Sequence, residues 1–404
     1  MACGACAAAL TRPELARVCL PPAAAVRVNP AALIRWEENG AARTALWRSA
    51  SDAPPPAAVT LVDDRIGADE AYGLACQGKG LLWRGDFQNA RQMLLALGRR
   101  ADRRAGAKSA SPAEAFNRYR QGRSQRARTL NALLVPLDAT YVVPLARAPD
   151  VRQACTEAYG AVTQDSLVPL RALLGVIGAH EWRLQGLPMP AAGGRIHPHY
   201  GVFAPVRHEY VDLVAAAALP AAVSAGGVAF DIGTGTGVLA AVLARRGVAR
   251  ILATDLDERA LACARDNIQK LGWQEQVQVE RADLFPAGRA ALAVCNPPWI
   301  PARPGSSLER GIYDPDSRML HGFLGGLGAH LEPGGEGWLI LSDLAEHLGL
   351  RSREALLAAF DAAHLRVVGR DEARPRHPRA SDASDPLHAA RAAEVTSLWR
   401  LAPR

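Results

Sequence analysis

Four short clusters in the second half of the chain carry residue types that do chemistry. Each follows an apolar run. The first is a glycine turn, Asp231-Ile232-Gly233-Thr234-Gly235-Thr236-Gly237. Closely set glycines let backbone approach a ligand. A dinucleotide fingerprint would carry its last glycine three positions after the second, where Val238 stands, so the nicotinamide reading is weakened. Asp231 is suited to hold an ammonium group, directly or through water. Asp255 follows about 20 residues past the turn, where an acid can accept two ribose hydroxyls. NAD and S-adenosylmethionine both satisfy that geometry. Asp283 comes next, with Leu284-Phe285 behind it. Its carboxylate can accept an adenine amine while Leu284 or Phe285 lines the ring; a loop-capping aspartate is the structural alternative.

The fourth cluster is Asn296-Pro297-Pro298-Trp299. The Asn296 amide oxygen can accept from an NH₂ group, and the Pro297 carbonyl can take a second hydrogen. The prolines fix φ and stiffen the turn. Trp299 offers a flat face for a planar amide or base. Together these parts suit capture of a planar nitrogen, with Asn296, Pro297 and Trp299 at the reacting centre. Cys295 precedes the asparagine and reads as a small core residue rather than a nucleophile.

These residues need a scaffold that brings successive loops to one edge. Apolar runs at 227–232, 250–254, 277–281, 291–295 and 337–342 predict strands. Helical periodicity at 238–246, 258–271, 317–331 and 352–364 separates most of them, and 366–369 and 395–401 predict a closing hairpin. The alternation predicts an α/β, doubly wound sheet over 181–404, entered through a β-hairpin at 181–205. Upstream, 81–104, 113–134 and 151–180 read as helices, the last broken around Val168-Pro169, and Val59–Val62 as one short strand. Residues 1–180 are thus expected to form a mainly helical domain that could recognise a substrate.

The 404 residues suffice for two domains. No apolar run is long enough to predict a membrane helix, and no secretory signal is evident. Seven irregularly spaced cysteines fit a reducing cytoplasm. Cys3-Gly4-Ala5-Cys6 lacks a second pair at finger spacing and reads as a loose terminus. His197 and His199 lack a nearby carboxylate or cysteine, so no metal is expected. The formal charge of +7 is concentrated between Arg84 and Arg128. That segment is either an RNA contact or a solvated helical face.

The stretch from about Trp182 to Leu401 resembles class I S-adenosylmethionine-dependent methyltransferases with an Asn-Pro-Pro-aromatic motif. The run Arg281-Ala282-Asp283-Leu284-Phe285 and then Cys295-Asn296-Pro297-Pro298-Trp299-Ile300-Pro301 is similar to the protein-(glutamine-N5) methyltransferases of release factors. N6-adenine methyltransferases and ribosomal RNA methyltransferases share the motif. The resemblance implies a seven-stranded Rossmann-like domain and S-adenosylmethionine as cofactor. On it, Asp231, Gly233, Gly235, Gly237, Asp255, Asp283, Leu284 and Asn296 would bind the cofactor. The implied reaction is methyl transfer to a planar nitrogen, first a glutamine amide of a translation-related protein. Adenine or guanine in RNA or DNA is the alternative acceptor, and a small molecule a further one. Three features depart from the release-factor enzymes. Trp299 replaces their tyrosine, Ala204–Tyr210 stands where they carry a Pro-rich Glu-Thr segment, and the upstream region is longer.

Overall fold

The computed structural model describes residues 32–49, 53–102, 111–161, 164–306, 308–376 and 382–404. The Cys3/Cys6 pair, Arg103, Arg104 and Lys108 lie outside them.

Two sheets dominate. The first holds β1 (Leu33–Glu38), β2 (Ala41–Trp47), β3 (Val59–Val62), β4 (Gly80–Trp83), β5 (Leu133–Leu137) and β6 (Ser166–Pro169), in the order β1-β2-β6-β5-β4-β3. β1 and β2 form an antiparallel hairpin across Asn39-Gly40, whose φ angles of 54° and 72° suit a tight two-residue turn. Helices Phe87–Asp102, Pro112–Asn131 and Leu170–Gln185 bury Phe87, Leu97, Leu130 and Leu173 with Leu81, Trp83, Leu133 and Val168 of the sheet.

The expectation of a mainly helical first half is therefore corrected: this region is α/β. β4, β5 and β6 are four or five residues long and buried at every position. Strands covered on both faces read as continuous apolar runs without alternation. Such runs, abutting a helix in sequence, are indistinguishable from its buried face. The expected helices at 81–104, 113–134 and 151–180 each absorbed one.

A short hairpin, β7 (Leu187–Met189) with β8 (Gly194–Ile196), follows. The second sheet holds β9 (Ala229–Ile232), β10 (Ile251–Asp255), β11 (Val277–Arg281), β12 (Ala290–Cys295), β13 (Leu331–Ser342), β14 (Leu365–Ala373) and β15 (Thr396–Pro403). Its order is β11-β10-β9-β12-β13-β15-β14. Every pairing is parallel except those of β15.

Side chains alternate across this sheet. Leu292 and Val294 of β12 join one core, with Val211 and the helix Val238–Arg245; Ala293 and Cys295 join the other, with Leu320, Phe323 and Phe360. Helix Val238–Arg245 is buried from Val238 through Ala244, so its sequence is apolar all round. Helix Glu258–Leu271 instead buries 260, 261, 263, 264, 267 and 268, one face. Asp257 caps its start through the Arg259 amide, and left-handed Gly272 ends it.

The chain leaves β9 toward β10 and β11 on one side and returns to β12 on the other. Such a reversal opens a crevice at the carboxyl ends of the central strands. Among the described residues no helix is long and apolar enough to cross a membrane.

Candidate functional site

The crevice gathers the four clusters. In the parallel register, Ile232 of β9 pairs with Thr254 of β10 and with Cys295 of β12. The next residues, Asp255 and Asn296, therefore stand level with Gly233 on either side of it. Two strand spacings separate them, about 10 Å.

The turn after β9 is a left-handed staircase: Gly233, Gly235 and Gly237 have φ of 72°, 55° and 80°. Their steric roles differ. A Cβ at Gly237 would press on the backbone of Ala264, and one at Gly233 would collide with the Met319 methyl. A Cβ at Gly235 would meet nothing within 4 Å. Gly235 thus borders open space, as a residue facing a bound molecule must.

Asp231 lies beneath the turn and is 1% exposed. Its Oδ2 accepts from the Thr234 hydroxyl at 2.6 Å and the Ala240 amide at 3.0 Å. Burial pushes its carboxyl up to about 6, against those two hydrogen bonds, which favour the ionised form.

Asp255 clamps the turn to β10. Its Oδ2 accepts from the Gly235 amide at 3.1 Å and its Oδ1 from the Asp257 amide at 2.9 Å. Burial raises its carboxyl above the ordinary range. Each oxygen retains a second lone pair.

Asp283 is exposed and pairs with Arg318 at 3.1 Å. Leu284 turns the chain with φ of 69°, and its carbonyl accepts from Thr254 Oγ1 at 2.6 Å. Its side chain lies on Gly322, and Phe285 stacks on His330 at 4.4 Å between ring centres. Leu284 and Phe285 therefore pack against helix Arg318–His330.

Asn296 and Trp299 are locked together: the indole Nε1 donates to the Asn296 Oδ1 at 2.8 Å. That oxygen, expected to be free for a ligand, has one lone pair committed. Its side-chain NH₂ has no partner among the described hydrogen bonds. Pro297 is buried beneath them. The Arg207 guanidinium lies 4.8 Å over the Trp299 ring, and Tyr210 meets it edge-on at 6.4 Å. Arg207 is itself held by Glu209 at 2.5 Å and Glu394 at 2.8 Å, both carboxylates 3% exposed. Cys295 is fully buried, and burial drives its thiol well above the usual range.

Several of these contacts were invisible in sequence. Arg207, Tyr210 and Arg351, which donates to the Trp299 carbonyl, come from distant segments. Asp314 is 6% exposed and accepts from the Met319 and Leu320 amides, capping the helix that carries Met319 over Gly233. Asp316 and Ser317, between them, are both left-handed, with φ of 56° and 52°. Residues with side chains are sterically disfavoured there. The short Asp-to-helix spacing was the available signal for the cap.

The two histidines each have a protein partner. His197 Nδ1 meets the Arg183 carbonyl at 2.6 Å, and His199 pairs with Asp266 at 3.0 Å. Among the described residues no group of three His, Cys, Asp or Glu could hold a metal. The Arg84–Arg128 segment divides: Arg84, Arg100, Arg118 and Arg126 pair with Glu38, Asp69, Glu114 and Asp102.

Residues 193–366 match the family described as Methyltransferase small domain. The release factor glutamine methyltransferase of Cereibacter sphaeroides is 34% identical over 152 residues, 34% of this chain and 52% of that protein. The tRNA1(Val) (adenine(37)-N6)-methyltransferase of Phocaeicola vulgatus is 40% identical over 73 residues, covering 17% and 31%. The ribosomal protein L11 methyltransferase of Pelotomaculum thermopropionicum is 42% identical over 73 residues, covering 18% and 24%. The chain spans about half of the first relative's length and less of the other two. The family match falls on the part of the chain that carries strands β9 to β13 and the crevice between them.

Proposed function

We propose that this chain is an S-adenosylmethionine-dependent N-methyltransferase whose acceptor is a planar NH₂ group. The observation that carries the reading is the register that sets Asp255 and Asn296 level with Gly233, with Trp299 bonded to Asn296. The open space over Gly235 fits a cofactor.

In this reading Gly233, Gly235 and Gly237 form the floor beneath the cofactor. Asp231 lies near its ammonium, Asp255 takes the ribose hydroxyls, and Asp283 with Leu284 flanks the adenine. A cation beside Asp231 would favour its charged form and draw its pKa down from about 6. The bound cofactor supplies a sulfonium methyl, an electrophile that needs positioning more than activation. Asn296 uses its remaining lone pair, and Pro297 its carbonyl, to orient the acceptor hydrogens. Acceptors aimed this way favour the electron-rich nitrogen of the transition state over the delocalised ground state. The Trp299 ring, held by Asn296, Arg207 and Tyr210, supplies the flat wall. The net exchange would break the S–CH₃ bond, leave the cofactor as a neutral thioether, replace one N–H by N–CH₃ and release a proton to water.

A glutamine side-chain amide and an adenine amine present the same planar NH₂. The release-factor relative favours the first. The arginines around the loop after Trp299 favour the second, in RNA. A cytoplasmic site of action belongs to the same reading.

The test is transfer of labelled methyl from the cofactor into a cell extract, followed by protease or nuclease digestion. We expect label in a polymer, as N-methylglutamine or N6-methyladenine. Label on carbon or oxygen, or in small metabolites alone, would refute the planar-nitrogen acceptor.

A further inference from the structure

Helix Pro112–Asn131 belongs to the first domain, yet one of its faces meets the loop that follows Trp299. Phe116, Tyr119, Arg120 and Arg123 fall at i, i+3, i+4 and i+7, a single stripe. Phe116 is 3% exposed and packs in a cluster with Ile300, Leu344, Leu348 and Leu387 of the second domain. Arg120 donates to the Arg303 carbonyl and lies 4.3 Å over the Tyr313 ring. Tyr313 bridges in turn to Ile300, the residue after Trp299. The stripe therefore ends beside the proposed acceptor site.

Its charge is poorly balanced. The helix carries five arginines and one acid, Glu114, which pairs with Arg118. Arg126 pairs with Asp102. Among the described residues, Arg120, Arg123, Arg171 and Arg303 have no carboxylate at ion-pair distance. Arg171 is the second residue of helix Leu170–Gln185, which packs against this one; burial lowers its pKa, Arg126 and Arg123 lower it further, and Glu309 opposes them. Gathered guanidiniums repel one another, and an external anion would relieve that repulsion. Arginine interleaved with tyrosine suits a strand of phosphates and unstacked bases more than a folded acidic surface.

We infer that Tyr119, Arg120, Arg123, Arg171 and Arg303 form a docking track for single-stranded RNA that leads to the Asn296–Trp299 turn. The inference rests on the nitrogen-methylation reading for what happens at the end of the track, but binding itself does not require it. It also reassigns the basic segment: Arg99 and Arg100 are left as a solvated face, Arg100 being already paired with Asp69, while the track draws on residues far apart in sequence.

The experiment is fluorescence anisotropy with a labelled, adenine-containing single-stranded RNA of about 20 nucleotides across a salt series. Arg123→Gln/Arg171→Gln should weaken binding about tenfold and flatten the slope of log affinity against log salt by about 0.7 for each phosphate no longer neutralised. Arg99→Gln/Arg100→Gln should leave both within twofold. Equal weakening in the two variants, unchanged binding in the first, no RNA binding by the wild type, or equal competition by polyglutamate would each overturn the track. Circular dichroism checks that the surface variants fold. Calorimetry with S-adenosylhomocysteine is run in parallel: failure to bind it sinks the methyltransferase reading and leaves the RNA result standing on its own.

Discussion

The two sides of the crevice are built in different ways. The β9–β10 side is assembled from residues 231–257, mostly by backbone. Asp231 and Asp255 commit their oxygens to the Ala240, Gly235 and Asp257 amides, and the turn's shape follows from three left-handed glycines. The β12 side is assembled by side chains from remote segments. Trp299 is held by Arg207, Tyr210 and Asn296, and the loop behind it rests on Phe116 of the other domain. One side is a local motif and the other a tertiary junction. A junction can change one wall without disturbing the other.

If this contrast is right, damage to one side should spare the other. The largest effect is expected at Phe116→Ala. Truncating a buried phenylalanine costs about 3–5 kcal/mol. The loss should appear in thermal unfolding, with methyl transfer impaired and S-adenosylhomocysteine affinity in the surviving folded protein within twofold of wild type. A comparable loss of cofactor affinity would join the two sides into one unit.

A sharper division comes from a pair of variants. Asn296→Ala should lower turnover about 10²- to 10³-fold, the usual cost of removing an oriented polar group at a reacting centre. Its cofactor affinity should hardly move. Asp255→Ala should do the reverse, weakening cofactor binding by about 10- to 100-fold while turnover at saturation survives. Calorimetry and saturation kinetics on both proteins separate the outcomes; swapped phenotypes would mean the roles are reversed.

A further effect is a pH dependence confined to the cofactor side. Asp231 titrates near 6 in the folded chain, above its ordinary value of 3.8. The native state then holds the proton more tightly than the unfolded chain. Its stability contribution is complete below pH about 4 and declines as pH rises toward 6, by at most about 1.4 kcal/mol per pH unit. Denaturant titrations from pH 4 to 7 should show this decline in wild type and lose it in Asp231→Asn. The asparagine oxygen can still accept from Thr234 and Ala240. Cofactor affinity should rise over the same interval, with release of up to one proton on binding.

What was legible follows the same division. The β9, β10, β11 and β12 strands, the helices between them and the loops carrying Asp255, Asp283 and Asn296 were readable because strand-loop-helix units announce themselves by periodicity and caps. Asp257 and Gly272 bound their helix where the sequence places them. The first domain was misread because β4, β5 and β6 are short, buried on both faces and contiguous with helices. Within the site, residue types were readable and their commitments were not. Nothing about Asn296 in sequence says that its oxygen already serves Trp299, or that Asp255 commits both oxygens to backbone amides.

By itself, then, the sequence determined the strand-and-turn order of the second domain and the identity of the residues at its carboxyl edge. These depend on interactions within a few tens of residues, where local propensity and spacing are strong. Only tertiary structure decided what flanks that edge: Arg207 over Trp299, Phe116 behind Ile300, and Arg120 over Tyr313. Contacts between side chains from distant segments leave no periodicity in the chain. They exist only once the tertiary fold has brought those segments together.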